Sequence, residues 1–242
     1  MENTLGFTDG RSVSLMNILA LETSTEYLSV ALANEEKIVA LDCLAEQKHS
    51  ELILPMVENV LADAAIERSG ISAIAFSAGP GSFTGLRIAC GVAQGLAYGL
   101  GVPVIPISTL EAVAEASGKN KVIVALDARM GEIYYAGYER QAAGWKVVIE
   151  AGLCKPENAP VLIGRDWFAA GSGFAIYEKV LSARYTDQIV GMDGSLYPHA
   201  RVVVRLAMER YLQGLMVDAA EAAPIYIRNK VALTIQEQVK SS

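Results

Sequence analysis

The chain has 242 residues, 52% of them hydrophobic and 19% charged, and a net charge of -7, which suits two lobes sharing a core and argues against a main nucleic-acid surface, since neutralising phosphates takes clustered Lys and Arg. No apolar run approaches the roughly 20 residues of a membrane helix, so a cytoplasmic protein without membrane attachment is expected. The three cysteines, Cys43, Cys90 and Cys154, are odd in number and far apart, the pattern of reduced thiols and not of a disulfide framework or thiolate metal site.

Residues 1–17 read as an N-terminal extension, carrying Glu2, Asp9 and Arg11 and lacking the apolar segment of a secretory signal. Residues 18–23, 27–33 and 37–44, separated by polar turns, predict a three-stranded meander. Over 50–65, Leu52, Ile53, Met56, Val57, Val60, Leu61 and Ala64 recur at helical spacing, with Pro55 limiting how early the helix begins. A strand over 71–77 runs into a loop, Gly79-Pro80-Gly81-Ser82-Phe83-Thr84-Gly85, then a helix to about 99 and a strand over 102–107, a parallel crossover. Ser108 and Glu111 have the form of a capping box and open a helix to about 116. Beyond a boundary at 117–120, strands are predicted over 121–126, 133–138, 146–149 and 161–163, followed by helices near 175–181 and 198–213. The expected division is an extension (1–17), a first lobe (18–117), a second lobe of similar plan (118–223) and an extended tail (224–242).

Several constellations are candidates for function. Glu22, Thr23, Ser24 and Thr25 form a turn that could hold phosphates through Mg²⁺, water or backbone N–H groups, and a Ser/Thr turn is equally ordinary hairpin chemistry. Gly79, Gly81 and Ser82 lie before a helix N-terminus, where an anion is favoured; the loop lacks the Lys of a Walker motif, and its glycines serve a sharp turn equally well, with Ser82 or Thr84 as N-cap. Gly171 and Gly173 could serve a nucleotide from the second lobe. In the helix after the loop, Ile88, Ala89, Val92, Ala93 and Leu96 suffice to cover a sheet, leaving Arg87, Gly91, Gln94, Gly95 and Tyr98 on another face. Glycines four apart cost about 1 kcal/mol each in a helix interior and make sense where another backbone approaches. A helical subunit interface is inferred, joined by the preceding helix through Leu52, Met56 and Val60; burial of both faces within one chain is the competing reading. With only His49 and His199 present, a histidine metal site or a Ser/His/Asp triad is not suggested; His49 is expected exposed beside a helix start, and His199 at another without a partner. A structural ion pair is expected in the turn from Asp127 to Glu132.

Taken together, Ile18 to Thr25, His49-Ser50-Glu51 with Leu54-Pro55, Gly79 to Arg87, Ser108-Thr109-Leu110, Asp127-Ala128-Arg129 with Gly131 to Tyr134, and Pro224 to Arg228 resemble the bacterial TsaB (YeaZ) family of tRNA threonylcarbamoyladenosine biosynthesis proteins. The resemblance implies the α/β fold of actin, Hsp70 and sugar kinases (ASKHA), with two similar lobes each holding a mixed sheet and helices. It implies a non-catalytic subunit that acts with the catalytic TsaD and the ATPase TsaE, which transfer threonylcarbamoyl from threonylcarbamoyl-adenylate to the tRNA adenosine beside the anticodon. In the catalytic relatives two histidines at one helix start bind a metal. The corresponding stretch here places Thr109 and Val113 at those positions, and neither can replace an imidazole ligand. The resemblance further implies that helices 50–65 and 84–99 pack on the same helices of TsaD, or of a second copy when the chain is alone, and that tRNA is met only through the complex. No cofactor is required by such a subunit, and a vestigial or interface nucleotide, ATP or ADP, stays open. The rival reading is an ATP-dependent enzyme of the sugar-kinase or ATPase type using Glu22, the loop from Gly79 to Gly85 and Gly171 to Gly173.

Overall fold

The computed structural model describes residues 16–34 and 36–228; most of the expected extension and the tail beyond Arg228 lie outside them. The first sheet is built by β1 (Ile18–Glu22), β2 (Tyr27–Ala33), β3 (Ile38–Leu44), β4 (Ala73–Gly79) and β5 (Val104–Ser108), in the order β3-β2-β1-β4-β5. The meander is antiparallel, and β4 and β5 add to it in parallel. Alternation along β1 decides the layers. Leu19 and Leu21 join the core beneath α1 (His49–Ala64) and α2 (Phe83–Leu100), while Ile18 and Ala20 join the opposite core with α3 (Thr109–Ala116) and α6 (Ala200–Leu212). Because β1 is buried on both faces, its run is apolar up to Glu22.

The second sheet follows the order β10-β9-β6-β7-β8, from β6 (Lys121–Asp127), β7 (Ile133–Gln141), β8 (Gly144–Cys154), β9 (Trp167–Ala170) and β10 (Ile189–Asp193). One face is covered by α4 (Ser172–Ile176) and α5 (Glu178–Arg184), and the other packs on α3. Helix α3 therefore lies between the lobes, Ala112 in the core of the first and Leu110 and Val113 in that of the second.

Three expectations are corrected. The stretch 161–163 is an exposed loop, with Val161 at 73% and Ile163 at 86% exposure, and the strand falls at Trp167–Ala170 instead, between Gly164 and Gly171. The second lobe does not extend to 223: α6 packs on β1, β2, β4 and β5, so the chain returns to the first lobe after β10. The short 3-10 turn Ala219–Glu221 likewise lies against α2. Pro55 sits inside α1, which begins well before it at His49, and does not limit where the helix starts.

Ser82 and Ser108 cap α2 and α3, accepting from Gly85 N–H and Glu111 N–H. Only half of the expected capping box forms, because the Glu111 carboxylate pairs with Arg210 of α6. A second pairing joins the lobes beside it. Arg140 of β7 pairs with Glu115 of α3 and Glu209 of α6, and the Trp145 indole N–H donates to Glu115 at 2.9 Å. These charges, each partly shielded from water, fix the lobes at their shared end.

Candidate functional site

The two first-lobe loops that resembled phosphate cradles are locked onto each other. Thr23 Oγ1 donates to the Gly85 carbonyl at 2.7 Å, and Ser82 N–H donates to the Ser24 carbonyl at 2.8 Å. A β-carbon on Gly85 would collide with the Thr23 carbonyl oxygen, and one on Gly81 would stand 2.7 Å from Ser24 Cβ. Gly79, at φ +122°, lies against the Ile225 carbonyl. These glycines serve close backbone approach. The N–H groups of Ser82, Gly85 and Leu86 are engaged by Ser24, Ser82 Oγ and the Ser82 carbonyl, so part of the loop's donors serve the chain itself.

Glu22 is fully buried, and its Oε1 accepts from Ser24 N–H. Burial pushes its carboxyl above the ordinary glutamate value, opposed by the hydroxyls of Ser24 and Ser77. It lies within the first sheet, opposite Ser29 of β2, and does not line the cleft between the lobes. Ser29 Oγ in turn accepts from Ala200 N–H, seating the start of α6. The histidines differ from expectation. His49 is buried and bonds to the Tyr27 carbonyl at 3.2 Å. His199 has a partner, the Asp42 carboxylate 3.0 Å from Nδ1, and lies on the Tyr197 ring, which stacks on Tyr27. That imidazole holds the Asp42 carboxyl below its ordinary value.

Between the lobes runs a cleft of about 1150 Å³, lined among others by Thr25, Ser82, Asp127, Arg129, Ser172 and Tyr226. Its second-lobe wall is likewise closely packed within the chain. β-Carbons on Gly171 and Gly173 would meet the backbone of Ala125, Ser172 Oγ accepts from Asp127 N–H at 3.1 Å, and Asp127 pairs with Arg129 at 3.4 Å in the expected ion pair. The cleft has room for a nucleotide, and the glycines Gly81, Gly85, Gly171 and Gly173 are accounted for by close packing within the chain. Among the described residues no three His, Cys, Asp or Glu side chains converge as metal ligands would, and no helix is long and apolar enough to cross a membrane.

The residues read as an interface separate into two groups. Arg87, Gly91, Gly95 and Tyr98 are exposed on α2, Tyr98 at 84%. Added β-carbons on Gly91, Gly95 and Gly99 would meet nothing within 4 Å, so packing inside this chain does not require them. Met56 and Val60 are corrected: both are buried in the core beneath α1. Leu52 is half-buried against that core, and Leu54, at 48% exposure, is the large apolar residue that α1 turns outward. Gln94 is also half-buried, its amide donating to the Ala222 carbonyl at 2.9 Å.

Sequence reasoning missed what the segment after Ala222 does. Ile225 N–H donates to the Ala78 carbonyl at 2.7 Å. The Tyr226 phenolic oxygen Oη accepts from Arg87 Nε at 3.0 Å, and the Arg87 guanidinium lies 3.8 Å over the Phe83 ring. Ile227, half-buried, packs against the second lobe's core, and Arg228 pairs with Glu132 of that lobe.

Two five-stranded mixed sheets with helices on their faces, meeting at a cleft, define a two-lobed α/β protein of the actin, Hsp70 and sugar-kinase class. A family model described as "TsaD: tRNA N6-adenosine threonylcarbamoyltransferase" matches residues 43–236. The chain is 37% identical to the TsaB proteins of Haemophilus influenzae and Escherichia coli, over 89% and 90% of its length and 95% and 96% of theirs. The solved structure of YeaZ from Pseudomonas aeruginosa is 38% identical, with a TM-score of 0.81, over 88% of this chain and 100% of that one. The chain belongs to the TsaB (YeaZ) family of tRNA threonylcarbamoyladenosine biosynthesis proteins.

Proposed function

We propose that this chain is a non-catalytic subunit of tRNA threonylcarbamoyladenosine synthesis, which docks on TsaD through the outer face of α2 with the exposed edge of α1. It activates TsaD together with TsaE for transfer of threonylcarbamoyl from threonylcarbamoyl-adenylate to the tRNA adenosine beside the anticodon. Alone, the chain pairs with a second copy through the same face, and it meets tRNA only within the complex. The observation that carries this reading, in a chain of the TsaB family, is the open row Gly91, Gly95 and Gly99 on α2. Each glycine costs helix stability by about 1 kcal/mol, and no neighbour among the described residues accounts for it. An approaching helix backbone does account for it, because small residues let two helices come close.

A second reading, an ATP-dependent enzyme of the sugar-kinase or ATPase type, is favoured by the volume of the cleft. It is opposed by Glu22, whose carboxylate is fully buried and accepts from Ser24 N–H, and by first-lobe loops that spend part of their donors on one another. On the subunit reading no cofactor is required, and an ATP or ADP in the cleft or at the interface would be vestigial.

Both readings meet one experiment. Threonylcarbamoyl transfer to tRNA by purified TsaD and TsaE, with threonylcarbamoyl-adenylate supplied, is measured with and without this protein, alongside ATP hydrolysis by the protein alone. Transfer that depends on its addition, without intrinsic hydrolysis, supports the subunit; transfer indifferent to it, with ATP turnover by the isolated chain, supports the enzyme.

A further inference from the structure

The segment 222–228 touches both lobes and the proposed docking face within seven residues. It begins along α2, where the Ala222 carbonyl accepts from Gln94 at 2.9 Å. It then follows the end of β4, with Ile225 N–H on the Ala78 carbonyl and the Ile225 carbonyl filling the space that a side chain on Gly79 would need. Tyr226 meets α2 again through Arg87. Phe83 completes this cluster, its ring 5.4 Å from that of Tyr226 and beneath the guanidinium. The segment ends in the second lobe, where Arg228 pairs with Glu132 and its Nη1 donates to Met130 Sδ at 3.3 Å, both partners on the turn between β6 and β7.

Arg87 is the one charged residue of α2, and it stands four residues before Gly91 and eight before Gly95, at the N-terminal end of the same outward row. Among the described residues it has no carboxylate within ion-pair distance. Its long side chain is held by two aromatic contacts instead, stacking on Phe83 and donating from Nε to Tyr226. A guanidinium fixed by its Nε and its face loses less freedom when a partner engages it than one that swings in solvent. One of the two residues fixing it belongs to a segment anchored in the other lobe.

We infer that residues 222–228 are a strap that sets Arg87 on the outer face of α2 and ties that face to the second lobe, with Tyr226 and Arg228 as positioning residues for docking. The inference rests on the reading of α2 as the TsaD-binding face. It makes the two lobes respond together when a partner settles on one of them.

The test uses the full chain, TsaD and four variants: Tyr226→Phe, which removes the acceptor and keeps the ring; Arg228→Gln and Arg228→Lys, which alter the far anchor; and Gly95→Leu, which blocks the face. Affinity for TsaD, thermal midpoint and amide hydrogen exchange are read for each. Tyr226→Phe and Arg228→Gln should bind TsaD about three- to tenfold more weakly, the scale of one hydrogen bond or ion pair, with midpoints close to wild type and partial recovery in Arg228→Lys. In the wild type, TsaD should slow exchange of residues 223–228 and of the turn 128–132 in the other lobe, and Arg228→Gln should abolish the effect at the turn; a merely structural role would leave that turn unmoved. If Tyr226→Phe and Arg228→Gln bind as wild type and the turn does not respond, while Gly95→Leu fails to bind, the strap is refuted and the docking face stands. If Gly95→Leu binds as wild type, the docking face itself is refuted and the strap's role falls with it.

Discussion

The carbonyl oxygen of Thr23 crowds the place where a side chain on Gly85 would begin, and the Thr23 hydroxyl donates to the Gly85 carbonyl at 2.7 Å. The hairpin after β1 and the start of α2 are thus one interlocked unit, which neither loop reveals alone. Gly85→Ala should lower stability by about 3 kcal/mol or more, because one of two backbones must move. Gly99→Ala, in open space on the same helix, should be neutral or stabilising by up to about 1 kcal/mol. Urea unfolding of the two variants compares them directly, and a Gly85→Ala midpoint matching that of wild type would contradict the interlock.

Glu22 links burial to pH. Desolvation raises its carboxyl above the ordinary value of 4.5, so the folded chain holds that proton more tightly than the unfolded chain does. Its contribution is fully present below the unfolded value and is lost as pH rises from there through the raised folded value. Glu22→Gln retains an acceptor for Ser24 N–H and cannot ionise. The variant should therefore be more stable than wild type near neutrality and lose that lead below pH ~4, where wild-type Glu22 is protonated in both states. Denaturant titrations across that range would show parallel curves if the carboxyl were not the cause.

Much of this architecture was legible because strand and helix periods are local. The meander, the crossover through α2 and both serine caps follow from residues within a few positions of one another. What escaped has a common physical cause. Leu52, Met56 and Val60 recur every four residues, a row that reads the same whether it covers its own sheet or a partner; the third dimension sends Met56 and Val60 inward. The strand at Trp167–Ala170 has four residues and β10 carries Gly191, too little for period alone to place. α6 follows the second lobe in sequence and belongs to the first in space. Arg87 and Tyr226 are 139 positions apart, and no local pattern announces their bond. Of the candidate site, Glu22 and the glycines were found as unusual residues, and their purpose, backbone packing and a buried carboxyl, was visible only once their neighbours were.

Asp42 and His199 join β3 to the start of α6, and the imidazole lowers the Asp42 carboxyl below its ordinary 3.8. A lowered carboxylate contributes stability above its unfolded value and loses it as pH falls through the folded one. With the Asp42 and His199 side chains 38% and 32% exposed, solvent screens the pair, so Asp42→Asn should cost no more than about 1 kcal/mol near neutrality. The deficit should close as pH falls through the lowered folded value of the wild-type carboxyl. A deficit constant with pH would assign the loss to packing beside Tyr197 and not to charge.

Gly95 separates folding from association. Its backbone is ordinary helix and an added β-carbon meets nothing within 4 Å, so Gly95→Leu should leave the fold intact and raise helix stability by about 0.5–1 kcal/mol. The same leucine would fill the groove that the row Gly91, Gly95 and Gly99 offers an approaching backbone. A variant at least as heat-stable as wild type that no longer binds TsaD, and that sediments as a monomer where wild type dimerises, would place the interface on α2 without any appeal to misfolding. Wild-type association by a stable Gly95→Leu protein would leave the three glycines without a purpose on this face and move the search for the partner surface elsewhere, with the exposed edge of α1 at Leu54 the next helix surface to mutate.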